Sequence, residues 1–397
     1  MILKILAIGD TANNAYLLKK ILNKCKIDII NFPRIGDAKH IYADDVQFFE
    51  SHLISEQVKK VNKIKSNYDL CFVSSWEGAR VAFLANLNYV FFFVGSSIYQ
   101  QPFIKNARTS YLKNPIHKKN FFERWFLRQV LDSSVACVTY GGYQFVNQLK
   151  KFHSNVYQMD MFPIDKMFLK QHLPIDKEKK KFTFLSPQRQ GLEKGMDIIW
   201  NAIKLTKSDF IMLQVDWFDR RTSEESKIAD EYIKNKPKKI KFIPIIKWKE
   251  IARYYVWADA VMGQMRWRHG NIEREAVICG TPVLNYNDHN ETYLINNKEC
   301  ISEFLPHSND PKELANLIDK IVEDKEFRKE LHKKELEFVT KLTNKEIIVL
   351  TWDNIFVESH EKCNNINRKK FNLKILNLLS GIMENFYYKK KWKYKQV

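Results

Sequence analysis

The sequence has few of the residues that would place it in several other classes of protein. Glycine and proline are scarce, with 12 and 11 residues in 397, which excludes a collagen-like chain or a disordered chain rich in both. The six cysteines form no CxxC pair, so we expect reduced thiols and neither a zinc knuckle nor a disulfide framework. The ten histidines include no HExxH motif, and we expect no catalytic metal. A hydrophobic content of 45% indicates a folded chain with material for two domains.

Long hydrophobic runs are also missing. The longest, Tyr89–Val94, falls well short of the roughly 20 residues that a transmembrane helix needs. The first residues, Met1–Asp10, enter a strand-like apolar stretch directly and lack the pattern of a signal peptide. Together with the reduced thiols, these observations predict a cytoplasmic protein.

Positive charge is in excess, because 65 Lys+Arg against 46 Asp+Glu give a formal net charge of +19. Two segments, Arg108–Arg128 and Phe386–Lys395, combine basic with aromatic residues. Such segments are typical of helices on an anionic membrane surface, so we expect peripheral association with the inner face of the membrane. Packing in the core is the alternative for both. Nucleic acid is the rival polyanion, but we do not expect it as a partner, because no RRM, KH, helix-turn-helix or zinc-finger pattern occurs.

Strand-like and helix-like segments alternate along most of the chain. This alternation predicts the α/β class, with two parallel sheets that are covered by helices on both faces. The polar segment Leu173–Lys181 suits a linker between two domains, each with its own alternation of strands and helices. The predicted divisions are a first domain at 1–172, a second at 173–345 and a helical segment with a basic aromatic tail at 346–397. Because open parallel sheets bind ligands beyond the carboxyl ends of their strands, we expect a site in a cleft between the domains.

The segment Phe182–Leu205 has the chemistry of an anion site. A strand is followed by Arg189 and Lys194, and then by Gly195 and an amphipathic helix. Cations beside a helix N-terminus suit a diphosphate, because side-chain charge and the helix dipole both favour negative charge. A solvated basic turn is the alternative.

The segment Ala258–Asn285 offers a second set of groups for the same kind of ligand. Gly270 and Asn271 begin a short helix whose first N–H groups can hold phosphate oxygens. Glu275 lies about one turn into this helix, where it can accept hydrogen bonds from sugar hydroxyls. The alternative is an ordinary helix-turn-strand unit in which Glu275 is a surface charge.

Together the two segments resemble the donor-binding half of GT-B glycosyltransferases of the family-4-like group (glycosyltransferase group 1 type). The residues that match are Arg189 and Lys194-Gly195 in the first segment, and Glu275-Ala276 and Cys279-Gly280-Thr281-Pro282-Val283 in the second. Phe162–Phe168 is similar to the segment that closes the first domain in this family. The resemblance covers about residues 1–345 and is specific in the second domain. It implies two Rossmann-like domains that face a cleft, with C-terminal helices that cross back to the first domain.

The resemblance also implies an activity and a donor site. The protein would move a sugar from a nucleotide-sugar donor to a glycan or lipid-linked acceptor, as in polysaccharide biosynthesis. The implied donor-binding residues are Arg189, Lys194, Gly270, Asn271, Ile272 and Glu275, the last of which would bind the nucleotide ribose. The resemblance implies retention of configuration at the donor carbon. No metal and no cofactor besides the nucleotide sugar is expected, because the cations and N–H groups can neutralise the departing diphosphate.

One departure from the family concerns the donor sugar. The family usually has a further glutamate in the loop before the second helix, and this sequence has Trp267 at that position. We expect a pocket reshaped for a different donor sugar, formed by Arg266, Trp267, Arg268, His269 and Glu273. A catalytically silent homologue that binds glycan or nucleotide as a partner is one alternative. A sugar-nucleotide epimerase is the other.

The acceptor is predicted at the loops that follow the strands of the first domain. These loops supply Gly9 and Asp10, Trp76 and Glu77, and Gly95 and Ser96. Asp10 or Glu77 would orient the acceptor hydroxyl as a catalytic residue. Each of these acids has an alternative role as a helix cap or as an acid in the first turn of a helix.

Overall fold

The computed structural model describes residues 2–10, 13–33, 46–94, 121–140, 143–176, 178–220, 223–288, 290–363, 375–377 and 379. They form two compact units. The described part of unit 1 lies within Met1–Ala107, His117–Pro163 and Lys345–Val397, and that of unit 2 within Ile164–Asn344. The division between the two units falls between Pro163 and Ile164, and the described residues of the predicted segment 346–397 belong to unit 1.

Unit 1 is built on a parallel sheet of seven strands in the order β3-β2-β1-β4-β5-β6-β7. The strands are β1 (Leu3–Ile8), β2 (Cys25–Asn31), β3 (Gln47–Phe48), β4 (Leu70–Val73), β5 (Tyr89–Phe93), β6 (Ala136–Thr139) and β7 (Val156–Gln158). The helices are α1 (Asn14–Lys19), α2 (Ile54–Ile64), α3 (Trp76–Leu84), α4 (Phe121–Asp132), α5 (Tyr143–Lys150) and α12 (Lys345–Lys362). Every residue of β4, β5 and β6 is buried, as expected for central strands of a sheet covered on both faces.

Helix α12 completes the core of unit 1. The Trp352 side chain is fully buried, and its ring lies 5.6 Å from that of Phe72 and 5.4 Å from that of Phe162. The Asp353 carboxylate accepts the backbone N–H of Lys24 at 3.3 Å. The prediction that the C-terminal part of the chain crosses back to the first domain is confirmed for this helix.

Unit 2 is built on a second parallel sheet, of five strands in the order β10-β9-β8-β11-β12. The strands are β8 (Phe182–Ser186), β9 (Phe210–Val215), β10 (Ile240–Ile243), β11 (Ala260–Met262) and β12 (Val283–Leu284). An antiparallel hairpin follows, with β13 (Thr292–Ile295) and β14 (Lys298–Ile301). The helices are α6 (Met196–Leu205), α7 (Ser223–Lys234), α8 (Trp248–Trp257), α9 (Asn271–Ile278), α10 (Pro311–Glu323) and α11 (Lys325–Leu342). The predicted α/β class is confirmed in both units.

Strand β12 lies at the edge of its sheet, and a buried acid satisfies one of its backbone groups. The N–H of Val283 donates to the two carboxylate oxygens of Glu335, on α11, at 3.1 and 3.3 Å. Burial raises the pKa of Glu335 well above its ordinary value, although this hydrogen bond acts in the opposite direction. The protonated form of Glu335 is therefore favoured in the folded protein.

Among the described residues, no helix has both the length and the apolar character needed to cross a membrane. Of the two segments predicted to contact a membrane surface, only residues 121–128 of the first are described. They lie in α4, where Phe121 is 78% exposed and Phe126 is buried. The second segment, Phe386–Lys395, lies outside the described residues.

Candidate active site

The two segments singled out in the sequence meet at one edge of the sheet in unit 2. Strands β8 and β11 are neighbours, so the loops at their carboxyl ends lie side by side. The Gln188 side-chain amide donates to the carbonyl of Gly263 at 2.9 Å, and the N–H of Met265 donates to the carbonyl of Lys194 at 2.9 Å. These bonds join the loop after β8 to the loop after β11.

Gly195 makes the close approach of these loops possible. It precedes α6 with a φ of 77°, in the left-handed region that favours glycine. A Cβ at this position would lie 2.7 Å from Cβ of Met265. Both the backbone conformation and the available space therefore require glycine here.

Lys194 is a half-buried cation at the centre of this arrangement. Its Nζ donates to Oε1 of Gln264 at 2.7 Å, and the amide nitrogen of Gln264 donates to the carbonyl of Arg268 at 2.8 Å. Burial lowers the pKa of Lys194 from its ordinary value, and the nearby Glu273 acts in the opposite direction. The ammonium group is thus held by a neutral oxygen in a site that disfavours its charge.

Arg189 is held by two acids. Its Nε lies 2.6 Å from Oδ1 of Asp219 and its Nη2 lies 3.8 Å from Oε2 of Glu193. The guanidinium carbon lies 5.9 Å from the ring centroid of Trp217, and the side chain is 31% exposed. Residues 216–219 follow β9 as a turn, and the sequence pattern gave no sign that Asp219 pairs with Arg189.

Gly270, Asn271 and Ile272 lie at the start of α9, as predicted. Gly270 is the residue before the helix, and its N–H donates to Oε2 of Glu273 at 2.7 Å. The other oxygen of Glu273 accepts the N–H of Gln264 at 3.3 Å. Asn271 and Ile272 are the first helical residues, whose N–H groups have no partner within a helix. A role for Glu273 in binding the sugar stays a prediction, because its carboxylate is occupied by backbone groups.

Glu275 is buried in unit 2, with 9% of its surface exposed, and is therefore not a surface charge. The Tyr255 hydroxyl donates to its Oε2 at 3.4 Å. Burial raises the pKa of Glu275 to about 8, while Arg274 lowers this pKa and Glu273 raises it further. Near neutral pH the carboxyl is therefore largely protonated, and partners that donate hydrogen bonds would favour its charged form.

Three residues of the predicted sugar pocket are engaged with other side chains of unit 2. Arg266 pairs with Asp197 of α6, with Nη2 2.5 Å from Oδ2. The guanidinium carbon of Arg268 lies 3.6 Å from the ring centroid of Tyr293, and Nδ1 of His269 lies 3.0 Å from the Tyr293 hydroxyl. Burial lowers the pKa of His269 well below its ordinary value, so the ring is neutral. These contacts fix the loop that precedes α9.

Trp267 lies in the same loop, at the position where the resemblance leads us to expect a glutamate. The side-chain amide of Asn285, which follows β12, reaches the carbonyl of Trp267 at 3.5 Å. The same Asn285 accepts the N–H of Gln264 at 2.9 Å. The loop after β12 thus supports the loop that carries Trp267.

In unit 1, Gly9 and Asp10 follow β1, and Trp76 and Glu77 begin α3 after the neighbouring strand β4. Asp10 is buried, and its Oδ2 accepts the N–H of Tyr16 in α1 at 2.9 Å. This contact agrees with the alternative role of Asp10 at a helix start. Glu77 is exposed in the first turn of α3.

The remaining predicted acceptor residues are Gly9, Trp76, Gly95 and Ser96. Gly9 has a φ of 77°, and the Trp76 ring packs edge-on against that of Phe91, with centroids 5.0 Å apart. Gly95 and Ser96 lie outside the described residues. The predicted acceptor role of all these residues stays a prediction.

Comparison with known proteins gives one family match and several similar solved structures. Residues 168–337 match the family model described as glycosyl transferases group 1. A similar structure is HepE of Anabaena in complex with UDP and glucose, with 16% identity, a TM-score of 0.64, and 90% of this chain and 100% of that chain covered. Another is sucrose-phosphate synthase from Thermosynechococcus elongatus, with 15% identity, a TM-score of 0.62, and 90% and 98% covered.

A third similar structure is an alpha-glucosyltransferase in complex with UDP-glucose and DNA containing an abasic site. It shares 11% identity, with a TM-score of 0.61, and 90% of this chain and 100% of that chain are covered. No curated protein sequence matches the chain. At these identities the solved structures establish the fold.

The two Rossmann-like units and these structural similarities define the chain as a protein of the GT-B fold. The matched residues 168–337 make up most of unit 2, which is therefore a group 1 glycosyltransferase domain. The enzymatic class of the protein is glycosyltransferase, and the family resemblance noted in the sequence is confirmed.

Proposed function

We propose that this glycosyltransferase moves a sugar from a nucleoside diphosphate sugar to a hydroxyl of a glycan or lipid-linked acceptor, without a metal ion and with retention of configuration. The observation that carries the proposal is the arrangement at the carboxyl edge of the sheet in unit 2. There the loop with Arg189 and Lys194 is hydrogen-bonded to the loop that leads into α9. Two cations and a helix N-terminus are suited to a diphosphate.

The chemistry follows from where charge develops. When the bond between the sugar and the diphosphate breaks, negative charge grows on the departing phosphate. Arg189, Lys194 and the first N–H groups of α9 stabilise that charge, and they are already in place in the folded protein. Because these groups neutralise the leaving group, the transfer needs no divalent ion.

Glu275 is assigned to the nucleotide ribose. Its carboxyl is buried beside Tyr255, and burial raises its pKa to about 8. Two ribose hydroxyls that donate to the carboxylate favour its charged form, so donor binding near pH 7 is expected to release a proton. Calorimetric titration in buffers of different ionisation enthalpy measures that proton. Proton uptake, or no exchange at all, would contradict the assignment.

The acceptor is assigned to the carboxyl edge of the sheet in unit 1, where Asp10 or Glu77 orients its hydroxyl. The exposed position of Glu77 favours it for this contact, because Asp10 is buried against α1. Glu77→Gln is expected to lower kcat while leaving donor binding unchanged. The same result for Asp10→Asn, with Glu77→Gln normal, would reverse the assignment.

The test of the proposal uses the purified full-length chain and a panel of UDP, GDP and other nucleotide sugars. Thermal shift reports binding, and release of free nucleotide reports turnover. We expect one donor to stabilise the protein and to be turned over, with both effects reduced in Arg189→Ala and Glu275→Ala. Arg220→Ala is the matched control, because Arg220 pairs with the exposed Asp230. Failure of every nucleotide sugar to bind would refute the proposal.

The finer parts of the proposal have their own readouts. Activity should persist in EDTA and should not require added magnesium or manganese. The anomeric configuration of the product, read by NMR, should equal that of the donor.

Membrane lipid extracts and soluble glycans, offered separately as acceptors, distinguish the two acceptor classes. Co-sedimentation with anionic vesicles tests the proposed location of the cytoplasmic protein at the inner face of the membrane.

Trp267 favours one second candidate, a catalytically silent homologue that binds a nucleotide or glycan as a partner. Such a protein would be stabilised by a nucleotide sugar without releasing nucleotide in the presence of any acceptor. An epimerase would instead change the sugar of the donor when no acceptor is present, which chromatography of the nucleotide sugar detects.

A further inference from the structure

Arg189 lies in a backbone structure that extends the pairing of β8 and β9 beyond the ends of both strands. The N–H of Gln190 donates to the carbonyl of Trp217 at 2.7 Å, and the N–H of Asp219 donates to the carbonyl of Gln190 at 2.8 Å. The loop after β8 and the turn after β9 are therefore fixed against each other. This pairing brings the carboxylate of Asp219 to Arg189.

The two acids occupy one edge of the guanidinium group. Asp219 lies at Nε, at 2.6 Å, and Glu193 lies nearest Nη2, at 3.8 Å. A guanidinium has five N–H donors in a planar fork, so a partner at the Nε and Nη2 edge leaves others available. Within the part of the chain that the structure describes, Arg189 and Asp219 form an ion pair whose geometry is not that of a hydrogen bond, Nη1 makes no hydrogen bond, and the Arg189 side chain is 31% exposed.

Gly191 provides the space for the Asp219 carboxylate. A Cβ at this position would lie 2.2 Å from Oδ2 of Asp219. The backbone of Gly191 is extended, with a φ of 178°, so alanine fits its conformation without strain. The nearest atom is the end of a side chain, which can move away. Gly191→Ala should therefore displace the Asp219 carboxylate, with a smaller adjustment at Cβ of Asp219, which would lie 3.0 Å from the added atom.

We propose that Asp219 is a positioning residue, which holds Nε of Arg189 so that Nη1 faces the diphosphate of the donor. This inference rests on the proposed function. A flexible arginine would lose side-chain entropy when the donor binds, whereas Arg189 is already fixed by Asp219. Asp219 acts only through Arg189 and makes no contact with the donor itself.

The test measures binding of two ligands to the full-length chain. UDP, or the nucleoside diphosphate that the donor panel identifies, reports contacts to phosphate, and the matching nucleoside reports the rest of the site. Asp219→Asn and Gly191→Ala should each weaken binding of the diphosphate about tenfold, the size of one charge-assisted hydrogen bond. Binding of the nucleoside should not change. Asp216→Asn is the control, because this exposed acid lies in the same turn and makes no contact with Arg189.

A double-mutant cycle separates positioning from a general effect on the fold. In the Arg189→Ala background, neither Asp219→Asn nor Gly191→Ala should weaken diphosphate binding further. The inference is wrong if their effects persist without Arg189, if the nucleoside binds more weakly as well, or if Asp219→Asn strengthens diphosphate binding. If the unmodified chain binds no nucleoside diphosphate, the proposed function fails and this inference fails with it. If the unmodified chain binds UDP and Asp219→Asn binds it with equal affinity, the inference alone fails.

Discussion

Replacement of Lys194 by methionine tests whether a half-buried cation serves the ligand or the fold. In the folded chain its Nζ donates to a neutral oxygen, Oε1 of Gln264, at 2.7 Å, and burial lowers its pKa. A lowered lysine pKa means that folding disfavours the charged form, so the positive charge costs stability at neutral pH. Methionine has a similar length and no charge. Lys194→Met therefore removes the desolvation cost together with one hydrogen bond.

The expected magnitudes differ sharply between activity and stability. A charge-assisted hydrogen bond to the diphosphate contributes about 1.5 to 3 kcal/mol, so kcat/KM for the donor should fall about 10- to 150-fold. The lost hydrogen bond to Gln264 costs about 1 kcal/mol of stability, and the relief of desolvation offsets that loss. The thermal midpoint should therefore stay the same or rise.

Lys239 is the matched control for this variant. Its Nζ donates to the carbonyl of Thr206 at 3.1 Å, to Oγ1 of Thr206 at 2.8 Å and to the carbonyl of Ser208 at 2.7 Å. These groups precede β9, at the amino ends of the strands. The candidate site lies at the opposite, carboxyl ends. Lys239→Met should lower the thermal midpoint and leave donor kinetics unchanged. The reasoning is refuted if Lys194→Met behaves in this way, with a lower midpoint and a normal kcat/KM.

Three further substitutions have expected outcomes. Gly195→Ala should destabilise unit 2 by about 1 to 3 kcal/mol in urea denaturation and weaken donor binding. The reason is that Gly195 has a φ of 77° and that a Cβ there would lie 2.7 Å from Cβ of Met265. A stability equal to that of the unmodified chain would contradict this prediction. Burial raises the pKa of Glu335, so the folded form binds its proton more tightly, and the free energy of unfolding should fall as pH rises above the unfolded pKa. Urea denaturation from pH 5 to 9 should show a smaller fall in Glu335→Gln, and equal slopes would show that Glu335 does not titrate in this way. Trp352→Ala should cost about 3 to 5 kcal/mol, because the side chain is fully buried, and calorimetry that finds no loss would remove Trp352 from the core of unit 1.

The first three strands of unit 2 could be predicted from the sequence to the residue. Phe182–Ser186, Phe210–Val215 and Ile240–Ile243 are short apolar runs bounded by charged or turn-forming residues, and they are strands with those limits. Local sequence was sufficient there, because the strands of a covered parallel sheet are mostly apolar and the residues on either side of them are not. The same holds for the start of α9 at Gly270 and Asn271, where glycine and asparagine mark the helix boundary.

The hairpin of β13 and β14 was not predicted, although a signal for it exists. Asn296 and Asn297 join the two strands, and their φ values are 50° and 60°. A two-residue turn with both residues at positive φ suits a β-hairpin, and asparagine is one of the residues that tolerates this conformation. The Asn-Asn pair between two short runs was therefore the available evidence in the sequence.

The pairing of Arg189 with Asp219 could not be predicted from local sequence. The two residues are brought together by backbone hydrogen bonds between segments that follow different strands. The motif identified Arg189, but nothing in the motif specifies which acid fixes its side chain. The same applies to Gln264, whose contact with Lys194 depends on the adjacency of β8 and β11.

The position of α12 in unit 1 has a consequence for synthesis of the chain on the ribosome. The core of unit 1 includes Trp352, which lies against Phe72 and Phe162. The seven-stranded sheet therefore emerges long before the helix that completes its core. The sheet and helices of unit 2 described within Ile164–Asn344 are all made before α12 appears. Although domains commonly fold in the order of their synthesis, here we expect the second unit to reach its final packing before the first does.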